Sequence, residues 1–297
     1  MSHHLGEFYA LLVALFWTIT ALSFESAAKK VGSLPVNLIR LCLGFLFLTL
    51  MNWIFRGYPL PTDASMHNWI WLSVSGFIGF VFGDLFLFKS YTIVGSWFAM
   101  LIMTLAPPLA AIFGYFILGE KLSYLGFFGM ILTMGGIAIA IFKRDEEAEN
   151  LKIDKPILGI LYAFFGALGQ ALGIVFSKYG MGTYPPFAAT QIRILTGIAG
   201  FALIITLFRR WSKVGAAFRN KKGIMAITSG AFFGPFLGVS FSLTAIRYTS
   251  TGVASTIMAM VPILIIPPSV LLLKHKITTR EVIGSVISVI GVALFFL

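Results

Sequence analysis

Five ionisable side chains stand in or beside apolar runs: Glu25, Arg40, Asp84, Lys89 and Arg193. A charge at the centre of a membrane helix costs about 2.5–3.5 kcal/mol on insertion scales. Such residues are therefore candidates for a substrate or ion path. Asp84 lies in "FGDLFLFKS", about five residues past the centre of its run, so roughly 7 Å from mid-run at 1.5 Å per residue. Arg40 and Glu25 fall in the same layer. Asp84 or Glu25 could take a proton or a substrate amine, and Arg40 or Lys89 a carboxylate. The alternatives are a structural ion-pair cluster and, for Lys89, snorkelling to the interface.

Uncharged candidates accompany them. Trp17 and Gln170 lie near mid-run, and Gln170 either lines a pocket or bonds across helices. Trp17, Trp97, Phe80 and Phe88 could stack on an apolar or aromatic substrate, although 30 phenylalanines make plain packing the competing reading. Met103 and Met258 each precede a proline by one turn and could form a flexible wall. Pro107 and Pro262 remove a backbone donor and free a carbonyl, which makes each a candidate hinge.

These residues need apolar helices to hold them. The chain has 297 residues, 58% hydrophobic and 11% charged, where soluble domains carry about 25% charge. That composition reads as an integral membrane protein. A helix of about 20 apolar residues crosses a bilayer. Ten runs qualify, at about 7–26, 36–55, 69–90, 95–118, 123–142, 156–178, 187–208, 223–246, 252–273 and 279–297. They are too long and continuous for barrel strands, so the expected class is an all-α membrane protein of ten transmembrane helices. The first run lacks a preceding basic region and cleavage site, and reads as an anchor. The single cysteine, Cys42, excludes an intramolecular disulfide, and four scattered histidines make no metal site. No metal and no cofactor are expected.

The runs repeat. Runs 3–5 match runs 8–10 at an offset of 155: Gly79, Gly83, Met103, Pro107, Lys121, Gly129 and Gly136 correspond to Gly234, Gly238, Met258, Pro262, Lys276, Gly284 and Gly291. Runs 1–2 match runs 6–7 at an offset of 153, pairing Arg40 with Arg193 and Trp17 with Gln170. The chain thus divides into a five-helix unit (7–142), a charged linker (143–155) and a second unit (156–297). Five is odd, so the second unit enters the membrane from the opposite side. Inverted repeats of this kind build many secondary transporters, with the substrate site near the midplane. The counterpart layer holds Lys178, Arg193 and Arg247 but no acid, since Glu25 aligns with Lys178 and Asp84 with Val239. A titrating carboxylate for proton coupling would come from the first unit alone. Gly79 and Gly83, and their equivalents Gly234 and Gly238, form small-xxx-small stripes for close helix approach.

Pro107 followed by "LGEKLSYLGFFGMILTMGGIAIAIF" resembles the signature of the EamA family, within the drug/metabolite transporter superfamily. The arginine opening runs 2 and 7 ("NLIRLCLGFLFL", "TQIRILTGIAGFAL") is similar to that family too. The resemblance spans nearly the whole chain as two units. It implies a ten-helix carrier of small metabolites, often amino acids or related compounds, usually moving outward by alternating access. In the second unit "KHKIT" replaces "GEKLS", which argues against an essential Glu120 and for a tight helix-helix turn.

Charge sets the expected orientation. The net charge is +11, but the basic residues sit in loops between apolar runs, so the partner is the lipid bilayer and not nucleic acid. Connections after odd-numbered runs, with their flanks, carry seventeen of the 22 lysines and arginines. The positive-inside rule places them in the cytoplasm and both termini outside the cell (inner) membrane; the resemblance implies termini inside. Neither an intramembrane protease motif nor a nucleophile turn nor a phosphate-binding loop is present, so an enzyme is not expected. A passive facilitator or uptake permease is the alternative to an exporter. The sequence is compatible with a monomer or a homodimer.

Overall fold

The computed structural model describes residues 5–119, 124–144, 151–153, 156–248, 254, 257–274 and 277–295. In chain order the elements are α1 Leu5–Val31, α2 Ser33–Arg56, α3 Met66–Gly76, α4 Asp84–Val94, α5 Ser96–Ile102, α6 Ala106–Leu118 and α7 Tyr124–Ile141. The second half holds α8 Ile157–Met181, α9 Pro186–Leu207, α10 Trp211–Arg219, α11 Lys221–Ala231, α12 Val239–Tyr248, α13 Val261–Leu264, α14 Ile266–Leu273 and α15 Thr279–Phe295. Among the described residues, seven helices are long and apolar enough to cross a membrane; α7 and the α13–α14 segment contribute shorter apolar stretches. Both Lys121 and Lys276 lie outside the described residues.

The chain is all-helical as expected, with one short strand pair beside the helices. Within the charged linker, strand β1 (Phe142–Arg144) pairs antiparallel with β2 (Leu151–Ile153). The charged residues of the linker sequence interrupt the apolar pattern that sustains α7, and the main-chain groups of 142–144 pair with those of 151–153 instead.

Local chemistry sets the helix ends. Ser65 accepts from Asn68 N, and the Asn68 side chain accepts from Ser65 N, which closes a capping box at the start of α3. Asn220 caps α11 by accepting from Gly223 N at 2.9 Å. Gly119 ends α6 with φ +69°, and its counterpart Lys274 ends α14 with φ +55°. The second half keeps the left-handed turn although it has lost the glycine that makes the turn easy.

Two stretches depart from the expected continuous helices. Phe77–Gly83 and Phe232–Gly238 wind as π-helices, and they are the same seven positions of the two halves. Each joins two α-helical pieces into one long rod, Met66–Val94 and Lys221–Tyr248. The paired glycines do what their spacing suggests. A methyl on Gly173 would come within 2.9 Å of Gly79 Cα, and one on Gly169 within 2.5 Å of Gly83 Cα. The equivalent contact in the other pair sets Gly234 against Thr20 and Gly238 against Trp17. In both pairs the rods run antiparallel, because Gly180, Gly173 and Gly166 meet Trp71, Gly79 and Leu87 in descending order.

Helices α7 and α15 form the second close seam. Ser288 Oγ donates to Thr133 O at 3.2 Å, and Thr133 Oγ1 reaches Ser288 O at 3.3 Å. A methyl on Gly136 would lie 2.6 Å from Gly284 O, and one on Gly291 2.8 Å from Gly129 O. Arg280 donates to Ile139 O at 3.0 Å. Ascending positions on α7 thus meet descending positions on α15.

Candidate functional site

The long rods leave a cavity of about 180 Å³ among α1, α2, the two π-helical stretches, α4–α6, α8, α9, α12 and α13. It brings together most of the residues singled out in the sequence: Trp17, Arg40, Phe80, Asp84, Phe88, Met103, Pro107, Gln170, Arg193, Met258 and Pro262 all line it. Glu25, Lys89 and Trp97 do not appear in its lining.

A polar cluster occupies one wall. Arg40 Nη2 is ion-paired with Asp84 Oδ2, and both side chains are more than nine-tenths buried. The Arg40 Nε donates to Asn37 Oδ1 at 3.1 Å, and Asn37 Nδ2 donates to Asp84 O at 3.3 Å. From the other half, Gln170 Nε2 donates to Asp84 Oδ1 at 2.7 Å and to Gly79 O at 3.2 Å. That carbonyl sits in the first π-helical stretch; widened turns of this kind recur at functional sites. Gln170, for which the sequence offered no evident partner, is thus satisfied twice. Arg193 lines the same cavity, 5% exposed, with its guanidinium carbon 4.9 Å from the Phe80 ring centroid. Its Nε is buried without a hydrogen-bond partner. The remaining wall is largely apolar, from Phe24, Phe88, Met100, Met103, Ile174 and Met258.

Pro107 and Pro262 stand just after helix breaks. Met103–Leu105 forms a 3₁₀ turn before α6, and a turn at 259–260 precedes α13. The Pro262 carbonyl accepts from Trp97 Nε1 at 3.1 Å. Trp97 is therefore a buried strut and not a stacking surface for the cavity.

Other charges have structural employment. Glu25 Oε2 accepts from Ser96 N at 2.7 Å, capping α5, and its Oε1 pairs with Lys29. Lys89 is exposed; in the counterpart layer Arg247 is exposed and Lys178 is half-buried outside the lining, so only Arg193 of that layer reaches the cavity. Glu25, expected in the same layer as Arg40, is held by the helix start at Ser96. Sequence reasoning missed Thr20, Tyr91, Pro235 and Ser242 of the lining, since isolated hydroxyls and a proline carry no charge signal.

At the end where α2 stops and α9 begins, a latch joins the halves. Arg56 Nη2 binds Asp63 Oδ2 at 2.6 Å, and Tyr184 OH donates to Asp63 Oδ1 at 2.9 Å. Burial, then the bond to Asp63, push the Tyr184 phenol up to about 12. Nearby, Asn52 Nδ2 donates to Gln191 Oε1 at 3.0 Å, and Gln191 Nε2 donates to Thr49 Oγ1 at 2.9 Å.

A protein of Staphylococcus epidermidis named "Putative ribose uptake protein RbsU" is 27% identical over 97% of this chain and 96% of its own length. An "Uncharacterized transporter" of Clostridium kluyveri is 23% identical over 96% of this chain and 91% of its own. A crystal structure of another protein superposes with a TM-score of 0.69 at 18% identity, covering 97% of this chain and 95% of that one, which is a likeness of fold. The EamA-like transporter family matches twice, over residues 4–142 and 157–297. With its apolar helices and the same family in each half, this multi-pass membrane chain belongs to the EamA-like transporter family.

Proposed function

We propose that the chain is a secondary carrier of small metabolites, working by alternating access between two inverted five-helix repeats, 7–142 and 156–297. The observation that carries the reading is the joint wall of the cavity. Asp84 and Arg40 come from the first half, Gln170 and Arg193 from the second, and they meet in one apolar chamber. Ligand sites are commonly concave and apolar with a few convergent polar groups. At about 180 Å³ the chamber suits a compact metabolite.

The seam between α7 and α15 supports inversion. Exchanging each position with its equivalent 155 residues away maps the Gly136–Gly284 contact onto Gly291–Gly129, and Thr133–Ser288 onto itself. A pseudo-twofold relating two antiparallel helices lies across them, which is across the membrane normal for membrane helices. Halves related in that way can exchange roles, so states open to either side lie close in energy. The breaks before Pro107 and Pro262 are the hinges in this scheme, and the Arg56–Asp63–Tyr184 latch is one seal.

Amino acids and related compounds, moved outward across the cell (inner) membrane, are the first substrates on this reading. Uptake is the second reading, favoured by relatives whose names describe ribose uptake. Proton coupling would use Asp84. Counterflow in proteoliposomes tests the carrier: labelled substrate outside should accumulate against unlabelled substrate inside, in saturable fashion. Non-saturable flux without counterflow would sink it in favour of a pore.

A further inference from the structure

We infer that the cavity is built for a small organic monoanion, whose carboxylate engages Arg193 while its apolar body lies against the Phe and Met wall. The inference rests on the carrier reading and replaces its first substrate class, the zwitterionic amino acids, with monocarboxylates.

The argument is a count of charges and of free bonding positions. Three ionisable side chains line the chamber with charges that matter: Arg40, Asp84 and Arg193. Asp84 already holds one partner on each oxygen, Arg40 on one and Gln170 on the other, and its charge is offset by Arg40. Arg40 is used as well, by Asp84 and Asn37. Arg193 has no ion-pair partner within 4.0 Å among the described residues, and its Nε lacks an acceptor. The Phe80 ring lies beneath it and the Asp84 charge acts on it from beyond contact distance, and a ring face offsets only part of a buried cation's lost hydration. The chamber therefore carries a net charge of +1 and, at Arg193 Nε, a buried donor without an acceptor among the described residues. Thr20 Oγ1, which also lines the chamber, is buried without a partner and offers a second bond.

Three substrate classes meet this wall differently. A neutral sugar would bring many hydroxyls to a surface with few polar partners and leave the net positive charge unmet. A zwitterion would bring an ammonium to a lining carboxylate whose charge Arg40 already offsets. A monocarboxylate with an aliphatic body supplies the missing charge to Arg193 and apolar contact elsewhere. Guanidinium–carboxylate bonds are among the strong, charge-assisted ones.

The test is isothermal titration of the full chain in lipid nanodiscs with four probes: 4-methylpentanoate, 4-methylpentanamide, leucine and ribose. The acid should bind, and the near-isosteric amide should bind roughly 10- to 100-fold more weakly, the loss expected for one charged hydrogen bond. Arg193→Gln should lower the acid's affinity to that of the amide, and Arg193→Lys should retain part of it. Equal binding of acid and amide overturns the inference without using any variant. So does tighter binding of leucine or ribose, binding of none of the four, displacement of the acid by equimolar chloride, or undiminished acid binding by a folded Arg193→Gln protein. The carrier reading fails separately: an acid that binds as described yet shows no counterflow leaves the site standing and removes transport.

Discussion

Arg40 and Arg193, equivalent residues of the two halves, share the ring of Phe80, with guanidinium carbons 5.7 and 4.9 Å from its centroid. Only Arg40 has a carboxylate, because Asp84 has Val239 as its counterpart. The polar wall is thus asymmetric in charge within a symmetric frame.

Asp84→Asn should accordingly cost more than the loss of one bond. It leaves Arg40 buried without a counter-ion, and breaking a buried pair from one side costs about 3–5 kcal/mol. Thermal unfolding in detergent should show a marked drop. The double change Arg40→Gln with Asp84→Asn should recover part of it, because no orphan from this pair remains. In proteoliposomes Asp84→Asn should abolish a pH-driven component of transport and Arg193→Lys should not. Transport by Asp84→Asn that matches wild type at every pH would remove the proposed proton role.

Glycine substitutions should separate seam from surface. Gly135 faces open space, whereas its neighbour Gly136 meets Ser288 N at 2.5 Å from an added methyl. Gly135→Ala should be neutral or raise stability by up to about 1 kcal/mol through helix propensity. Gly136→Leu should split α7 from α15 and lower the melting midpoint by many degrees. Equal effects of the two changes would show that the seam contributes nothing.

The antiparallel seam predicts a cross-link. In a Cys42→Ser background, Thr133→Cys with Ser288→Cys should form a disulfide under mild oxidation, since these positions face each other. Pairing Gly129→Cys with Gly284→Cys, on the parallel register, should not. Position 129 should instead cross-link with a cysteine at 291, and a disulfide between 129 and 284 would make the halves co-directional. A reporter fused to the C-terminus then decides orientation: the basic loops predict an external terminus, and a cytoplasmic one would overturn that placement.

Tyr184 should titrate late. Its phenol is pushed from 10.0 to about 12 by burial and by its bond to Asp63. A raised folded value means that the folded state holds the proton more tightly than the unfolded chain does. The stability so gained is present in full below pH 10 and is lost as pH rises through about 12. The difference in phenolate absorbance between wild type and Tyr184→Phe should therefore have its midpoint near 12. A midpoint near 10 would show that the latch is open in solution.

Much of this architecture was legible because membrane helices write themselves as apolar runs. Their duplication was legible through glycine, proline and arginine, which composition alone does not repeat in register. Asp84, Arg40, Gln170 and Arg193 announced themselves as polar groups at depth, and the cavity gathers all four. Glu25 announced itself equally, yet it caps α5 at Ser96. Charge at depth reveals that a partner exists, not whether the partner is a ligand or a main-chain N–H. The π-helical stretches had no signal that periodicity could show, since seven apolar residues read alike in either winding. The β1–β2 pair lay in a linker whose charges marked it only as polar.

The wide turn at Phe77–Gly83 fixes the angle at which everything beyond it leaves the rod. One residue corresponds to about 100° around an α-helix. Shortening this stretch by a single residue, so that ordinary winding closed the gap, would swing Asp84 about a quarter-turn away from Arg40 and Gln170 while sparing both partners. The bonding geometry of the chamber is thus set by a length of chain as much as by the chemistry of its walls, and the second half keeps that same length at Phe232–Gly238 although its wall offers Val239 in place of an acid.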